Sequence, residues 1–325
     1  MVLRHTLLHR TMRSWLLLLL LALVSCSSAD ADEPNYNSST PSARTLRVLM
    51  VGNSFTGDAF FYAPFIINAV APQVQVEMGI LYRSGCSLKQ HYDDGVGSGY
   101  IYDYFECNSR EKAWRTSRSS LPTAIAMKEW DIVVFQQASW QSPDYRYYRP
   151  ALDHLISWVD VHLATPHIFG WLITPAYADG YGNLKGMSSD EMATKIANCA
   201  ARLKEEMPIN IFFPCGTAIQ YARHSSITNC GNFGSFTSDG SHLQDGLPRL
   251  IESYVVAGVL LKHLNLPPDL ILKDNTAITD VWIAEHGIPQ RHGRVVGMSV
   301  WNCSIARECA LRAIRNPFVT NNVWN

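Results

Sequence analysis

The chain has 325 residues, 47% of them hydrophobic and 17% charged, with a formal net charge of -1. This length accommodates one α/β domain with a leader and a tail, and the balanced charge, without a clustered basic face in the mature part, excludes the electrostatic footprint of a nucleic-acid-binding protein. The 11 histidines are scattered, the only HxxxH spacing (His5 to His9) falls in the leader, and no CxxC occurs, so the spacing implies no dedicated metal site.

Arg4, Arg10 and Arg13 precede an apolar run over residues 16–24, too short to span a bilayer comfortably and typical of a secretory signal. Met12 offers an alternative start that leaves a compact signal. The run ends in Leu23-Val24-Ser25-Cys26, which resembles the lipobox of bacterial lipoproteins. That resemblance implies that Cys26 is lipidated, that residues 1–26 are a lipoprotein-type signal peptide, and that the mature chain is anchored in the periplasm or on the cell surface. Ordinary cleavage after Ala29 or Ala31 is the alternative and gives a secreted protein. The polar, Ser- and Pro-containing residues 27–44 read as a flexible tether. Membrane contact is expected only through the lipid. With Cys26 lipidated, seven of the 8 cysteines remain, and an odd number in an exported protein leaves at least one free thiol or a bond to another chain. Cys303 and Cys309, six apart on a predicted helix, fall on different faces and should not pair.

Residues 46–51 read as a buried strand that turns at Gly52-Asn53, delivers Ser54 and hands over to a helix. Residues 58–71 are apolar and aromatic enough to pack on a sheet, and Pro72 ends them. A second strand spans 73–81, and a loop over 82–89 carries Gly85 and the small residue Cys86. Residues 90–128, with Gly95, Gly97 and Gly99 among Tyr92, Tyr100, Tyr102 and Tyr104, suggest a hairpin or an elaborated insertion. The third strand, 131–135, delivers Gln136 and Gln137 to the same edge as Ser54. Further strands are expected over 167–173 and 209–213, with helices over 149–163, 188–206 and 247–264. Strands alternating with helices at these spacings predict one doubly wound, flavodoxin-like α/β domain over residues 45–318, with a mostly parallel five-stranded sheet flanked by helices.

A serine where a parallel strand meets a helix sits at the sheet's carboxyl edge, where open α/β sheets bind ligands, and Ser54 is therefore the candidate nucleophile. Asn53, Ser54 and Thr56 also suit a plain turn and helix cap. Far downstream, Asp239-Gly240-Ser241-His242 places a carboxylate three residues before an imidazole on a Gly-containing turn. That spacing lets Asp239 meet Nδ1 while Nε2 faces outward, as a general base requires; capping of the following helix is the plainer use. Cys86 is a rival nucleophile with no histidine and orienting partner nearby, and reads as a small buried residue or as half of a disulfide.

The combination resembles the SGNH (GDSL-type) hydrolases, and more narrowly a GNSF(S/T) branch common in Bacteroidetes. The residues that carry the resemblance are GNSFT at 52–56, RSGCSL at 83–88, WDIVVFQQAS at 130–139, PCGTAIQYAR at 214–223, DGSHL at 239–243 and ALRAIRNPF at 310–318. The resemblance implies a serine esterase with Ser54 as nucleophile, His242 as base and Asp239 as its orienting partner, with the N–H groups of Ser54 and Gly85 in the oxyanion hole and no metal or organic cofactor. SGNH enzymes usually complete that hole with an asparagine after the third strand. This chain has Gln136-Gln137 there, either of which carries an amide donor, with Gln136 directly ending the strand. Trp140, Tyr145 and Arg146, together with Tyr147, Tyr148 and Arg149, follow that edge as one possible wall of a substrate cleft. Rings there suit sugars and the arginines a uronate carboxylate, although such tyrosines also serve as packing beneath an extended loop. Export and family context favour an acetyl or methyl ester on a carbohydrate. A non-catalytic glycan-binding protein on the same fold and a lipase or acyltransferase are the other readings.

Overall fold

The computed structural model describes residues 45–97, 99–227, 230, 235–291 and 293–321. The expected signal, Cys26 and the tether lie outside the described residues. In chain order the elements are β1 (Thr45–Gly52), α1 (Ser54–Phe60), α2 (Ala63–Val70), β2 (Gln75–Tyr82), α3 (Leu88–Asp93), β3 (Tyr102–Asn108), β4 (Arg115–Ser119), α4 (Leu121–Met127), β5 (Ile132–Phe135), α5 (Ala151–His162), β6 (Ile168–Leu172), α6 (Ser189–Glu206), β7 (Ile209–Phe213), α7 (Cys215–Arg223), α8 (Leu247–His263), α9 (Asp280–Glu285) and α10 (Val300–Arg315).

The strands form one 7-stranded sheet in the order β4-β3-β2-β1-β5-β6-β7. β2, β1, β5, β6 and β7 are parallel. Counted along the chain they run second, first, third, fourth, fifth, which is the flavodoxin-like winding, with its switch point between β1 and β5. The expected five strands are these parallel ones. Two more, β3 and β4, extend the sheet antiparallel beyond β2 and come from residues 90–128. β4 is Arg-Thr-Ser-Arg-Ser with four exposed residues, so no apolar alternation marks it, and its two arginines blunt the open edge of the sheet.

Successive side chains of a strand face opposite ways. Val48 and Met50 of β1 therefore join a core with α2, α7, α8 and α10, while Leu49 and Val51 join a second core with α4, α5 and α6. All four are buried, which is why the strand reads as an unbroken apolar run. The helical stretch expected over 58–71 is interrupted at Phe61 and Tyr62, because Pro64 lies in the first turn of α2, where its missing N–H is harmless, whereas inside a longer helix it would break the ladder. α8 is buried over its first 15 residues and packs against α1, α2, α7 and α10. Such a helix must be apolar nearly all round, and its buried Arg249 and Glu252 stand out for that reason. Cys303 and Cys309 on α10 are separate thiols, as their spacing predicts. No helix among the described residues is long and apolar enough to cross a membrane.

Candidate active site

Ser54 is the first residue of α1, directly beyond the carboxyl end of β1, the strand at the switch point. Two local features fix the turn. A Cβ at Gly52 would lie 2.0 Å from Thr56 Oγ1, so only glycine permits so tight a strand-to-helix handover. Asn53 caps the helix: its Oδ1 accepts from the Phe55 N–H at 3.1 Å, and its Nδ2 donates to the Cys86 carbonyl at 3.0 Å. The cap thereby ties the serine turn to the loop after β2 that carries Gly85. Capping and placing the nucleophile are one arrangement here.

Asp239 and His242 lie on a tight loop closed by the Thr237–Leu243 bridge. Asp239 Oδ1 accepts from the Ser241 N–H (2.8 Å), the Ser241 hydroxyl (2.9 Å) and the His242 N–H (2.8 Å), while Oδ2 lies 2.7 Å from His242 Nδ1. Partial burial opposes ionisation, yet these donors and the imidazole outweigh it and hold the carboxyl well below the usual carboxylate range. Gly240 adopts φ +94°, and a Cβ there would meet Tyr181 Cδ2 at 2.4 Å, which explains the glycine between the two functional residues. The helix that follows is capped at Gly246, so Asp239 and His242 are not its caps.

The two segments, 188 residues apart in sequence, meet at Ser54 Oγ and His242 Nε2, 2.9 Å from each other. With Asp239 ionised and accepting the proton on Nδ1, Nε2 presents a lone pair to the Ser54 hydroxyl. The Phe55 ring lies against the imidazole, with centroids 5.7 Å apart. Beneath both segments Asp58, fully buried, accepts from Arg291 Nε at 2.9 Å and from the Leu243 N–H at 3.3 Å, while Arg291 Nη2 donates to the Ser54 carbonyl at 2.9 Å. Nothing in the sequence marked Arg291 for this position.

Ser54 and His242 open into a cavity of about 200 Å³ lined also by Asn53, Ser84, Gly85, Ala138, Ser139, Trp140, Tyr177 and Tyr181. The N–H groups of Ser54 and Gly85 have no acceptor among the described residues. A larger cleft of about 430 Å³, lined by Tyr254, Asp274, Met298 and Arg307 among others, shares no residue with this cavity and has no histidine in its wall. Cys86 is almost fully buried, and burial above all pushes its thiol up to about 12, so it is a neutral thiol, as its small-residue reading predicts. Among the described residues no group of three His, Cys, Asp or Glu side chains could hold a metal ion.

Four expected site residues are placed elsewhere. Gln136 and Gln137 are buried but do not line the cavity. Gln136 Oε1 accepts from the Thr56 hydroxyl at 2.7 Å. Gln137 is built into the fold: its Oε1 accepts from the N–H groups of Leu88 and Ala138, and its Nε2 donates to the Tyr147 carbonyl at 2.7 Å. The chain leaving β5 first reaches the cavity at Ala138, followed by Ser139 and Trp140. Tyr145 turns to α6, where its hydroxyl donates to Glu206 at 3.0 Å and its ring lies 4.0 Å beneath the Arg202 guanidinium. Arg146 forks onto Asp144 and lines a neighbouring cleft of about 280 Å³ with Lys89, Tyr147 and Arg149. Of the three expected substrate contacts only Trp140 lines the Ser54 cavity; it is 57% exposed. Its ring lies 6.2 Å from that of Tyr147, so the two clefts meet at this aromatic pair.

A doubly wound, flavodoxin-like sheet that holds serine, histidine and aspartate in series at its carboxyl edge is the α/β fold class that the alternation of strands and helices predicted. The chain belongs to the DUF4886 family, a domain of unknown function whose family model matches residues 47–262. The crystal structure of a DUF4886 family protein from Bacteroides uniformis superposes with a TM-score of 0.68 at 22% identity, over 86% of this chain and 98% of that one, and shares the fold. More distant is a protein from Slackia heliotrinireducens provisionally described as an SGNH hydrolase, with a TM-score of 0.46 at 19% identity over 67% of this chain and all (100%) of that one. Axe2, an acetylxylan esterase from Geobacillus stearothermophilus, matches with a TM-score of 0.41 at 11% identity over 69% of this chain and 95% of that one. No curated protein matches the chain.

Proposed function

We propose that the protein is a serine esterase that cleaves an acetyl or methyl ester on a carbohydrate through an acyl-enzyme. The observation that carries this reading is the unbroken series of contacts from Ser54 Oγ to His242 Nε2 (2.9 Å) and from Nδ1 to Asp239 Oδ2 (2.7 Å). His242 takes the hydroxyl proton as Ser54 attacks the ester carbonyl, and Asp239 stabilises the imidazolium that forms. The N–H groups of Ser54 and Gly85 hold the tetrahedral oxyanion. The imidazolium then protonates the departing alcohol, and water, activated by the same base, releases the acid. Each step uses only these groups and water.

A cavity of about 200 Å³ suits a short acyl group better than a long fatty chain, since pockets that enclose drug-sized ligands run to roughly 300–1,000 Å³. The exposed Trp140 beside the nucleophile offers a face on which a sugar ring can stack. The basic and apolar leader supports export, with Cys26 as the lipid attachment point.

The reading is tested by p-nitrophenyl acetate hydrolysis with the mature protein and with Ser54→Ala, followed by a panel of acetylated and methylated glycans. Turnover that disappears in Ser54→Ala supports it. Equal rates for the two proteins overturn it.

A further inference from the structure

The N–H groups of Ser54 and Gly85 leave one place of an SGNH-type oxyanion hole open; Gln137 is held at both ends within the fold, and Gln136, whose Nε2 has no partner among the described residues, is buried outside the lining of the cavity. Of the three residues that the chain leaving β5 presents to the cavity, Ala138, Ser139 and Trp140, Ser139 carries a hydroxyl, and its Oγ lies 2.8 Å from the hydroxyl of Tyr177, which follows β6 and lines the same cavity. Two hydroxyl groups carry two protons, and one proton is consumed by the bond between them. Neither oxygen has another partner among the described residues, so one O–H remains to be donated. Tyr177 is only 4% exposed, its ring packs edge-on against Tyr181 at 5.1 Å, and its backbone N–H is held by Met192 Sδ. A donor so fixed needs little reorganisation when charge develops beside it, which is what makes such groups effective in an oxyanion hole. Burial, above all, pushes the Tyr177 phenol above its ordinary value, so it keeps its proton at neutral pH.

We infer that the Ser139–Tyr177 hydroxyl pair supplies the third hydrogen bond to the oxyanion formed at Ser54, in the role for which the sequence offered Gln136 or Gln137. The inference rests on the esterase reading. One hydroxyl contacts the substrate oxygen and the other polarises it, so the two act as a unit carrying a single free proton.

Tyr177→Phe keeps the buried ring and Ser139→Ala removes little volume, so both variants retain the packing. The expected result on p-nitrophenyl acetate is a loss of kcat/KM in each variant, the larger loss about 100-fold, with the double variant no worse than the poorer single one. A trifluoromethyl ketone, which captures Ser54 as a tetrahedral oxyanion, should lose affinity in step with kcat/KM, while an unreactive amide analogue of the substrate binds as before. If both single variants stay within about twofold of the wild type while Ser54→Ala is inactive, this inference is wrong and the esterase reading survives. Parallel loss of ketone and amide affinity also overturns it, since that marks a merely structural role. Full turnover by Ser54→Ala overturns both readings together.

Discussion

Arg291 and Ser54, 237 positions apart in sequence, are joined by a 2.9 Å hydrogen bond from the guanidinium Nη2 to the serine carbonyl oxygen. The same guanidinium pairs through Nε with the fully buried Asp58 at 2.9 Å, and Asp58 in turn holds the N–H of Leu243, the residue after His242. One ion pair thus sets the spacing between nucleophile and base. Without Arg291, Asp58 keeps only the buried Arg249 as an ion-pair partner, whose Nε lies 3.7 Å away, so Arg291→Met is expected to lose less in urea denaturation than the about 3–5 kcal/mol of a wholly stranded buried charge, and to lose more turnover than Arg291→Lys, which keeps the positive charge.

The tautomer of His242 is set by the Asp239 carboxylate. In Asp239→Asn the side-chain oxygen can still accept from the Ser241 and His242 N–H groups, but the amide donates to Nδ1 and leaves the proton on Nε2, facing Ser54. The expected outcome is a drop in kcat of about 10³–10⁴-fold with little change in melting temperature. Comparable losses in kcat and stability would show instead that Asp239 chiefly holds the loop.

Trp140 stands at the mouth of the Ser54 cavity and touches neither Ser54 nor His242 by hydrogen bond. Trp140→Ala should raise KM for an esterified oligosaccharide by about 3- to 10-fold, the worth of one ring contact. Hydrolysis of p-nitrophenyl acetate, which has no sugar to stack, should be nearly unaffected. Steady-state kinetics on both substrates decides the matter.

Glu252, inside α8, has no hydrogen-bond partner for either carboxyl oxygen among the described residues. Burial above all, and then the nearby Asp58, raise its pKa well above the ordinary value. Folded chains therefore keep this proton at a pH where unfolded chains release it, so the unfolded state binds fewer protons and stability falls as pH rises above the ordinary glutamate value. Glu252→Gln removes the titration. Its stability relative to the wild type should accordingly increase from pH 5 to pH 8 in chemical denaturation, and a constant difference across that range would refute the assignment.

The parallel half of the fold and the three residues in series could be read from the sequence because each leaves a local mark. Buried parallel strands are short apolar runs, and the serine turn and the Asp239–His242 loop need glycine at Gly52 and Gly240 for steric reasons. The antiparallel pair β3 and β4 was legible only as a hairpin or insertion somewhere over 90–128, because an edge strand such as Arg115–Ser119 is polar and leaves no apolar run to bound it. Gln136 and Tyr145 were misplaced for a different reason: where a side chain points after a strand ends depends on which neighbours capture it, Thr56 in one case and Glu206 in the other. Arg291 and Tyr177 were invisible, since each is brought to the site by contacts with remote segments and belongs to no motif.

All seven residues of α1, from Ser54 to Phe60, are buried. The signature segment is therefore a wall of the interior as well as the seat of the reactive hydroxyl, and a substitution in it is judged twice, by folding and by chemistry. Variation that retunes substrate choice has freer rein at the outward-facing rim around Trp140, where a change of side chain leaves the interior untouched.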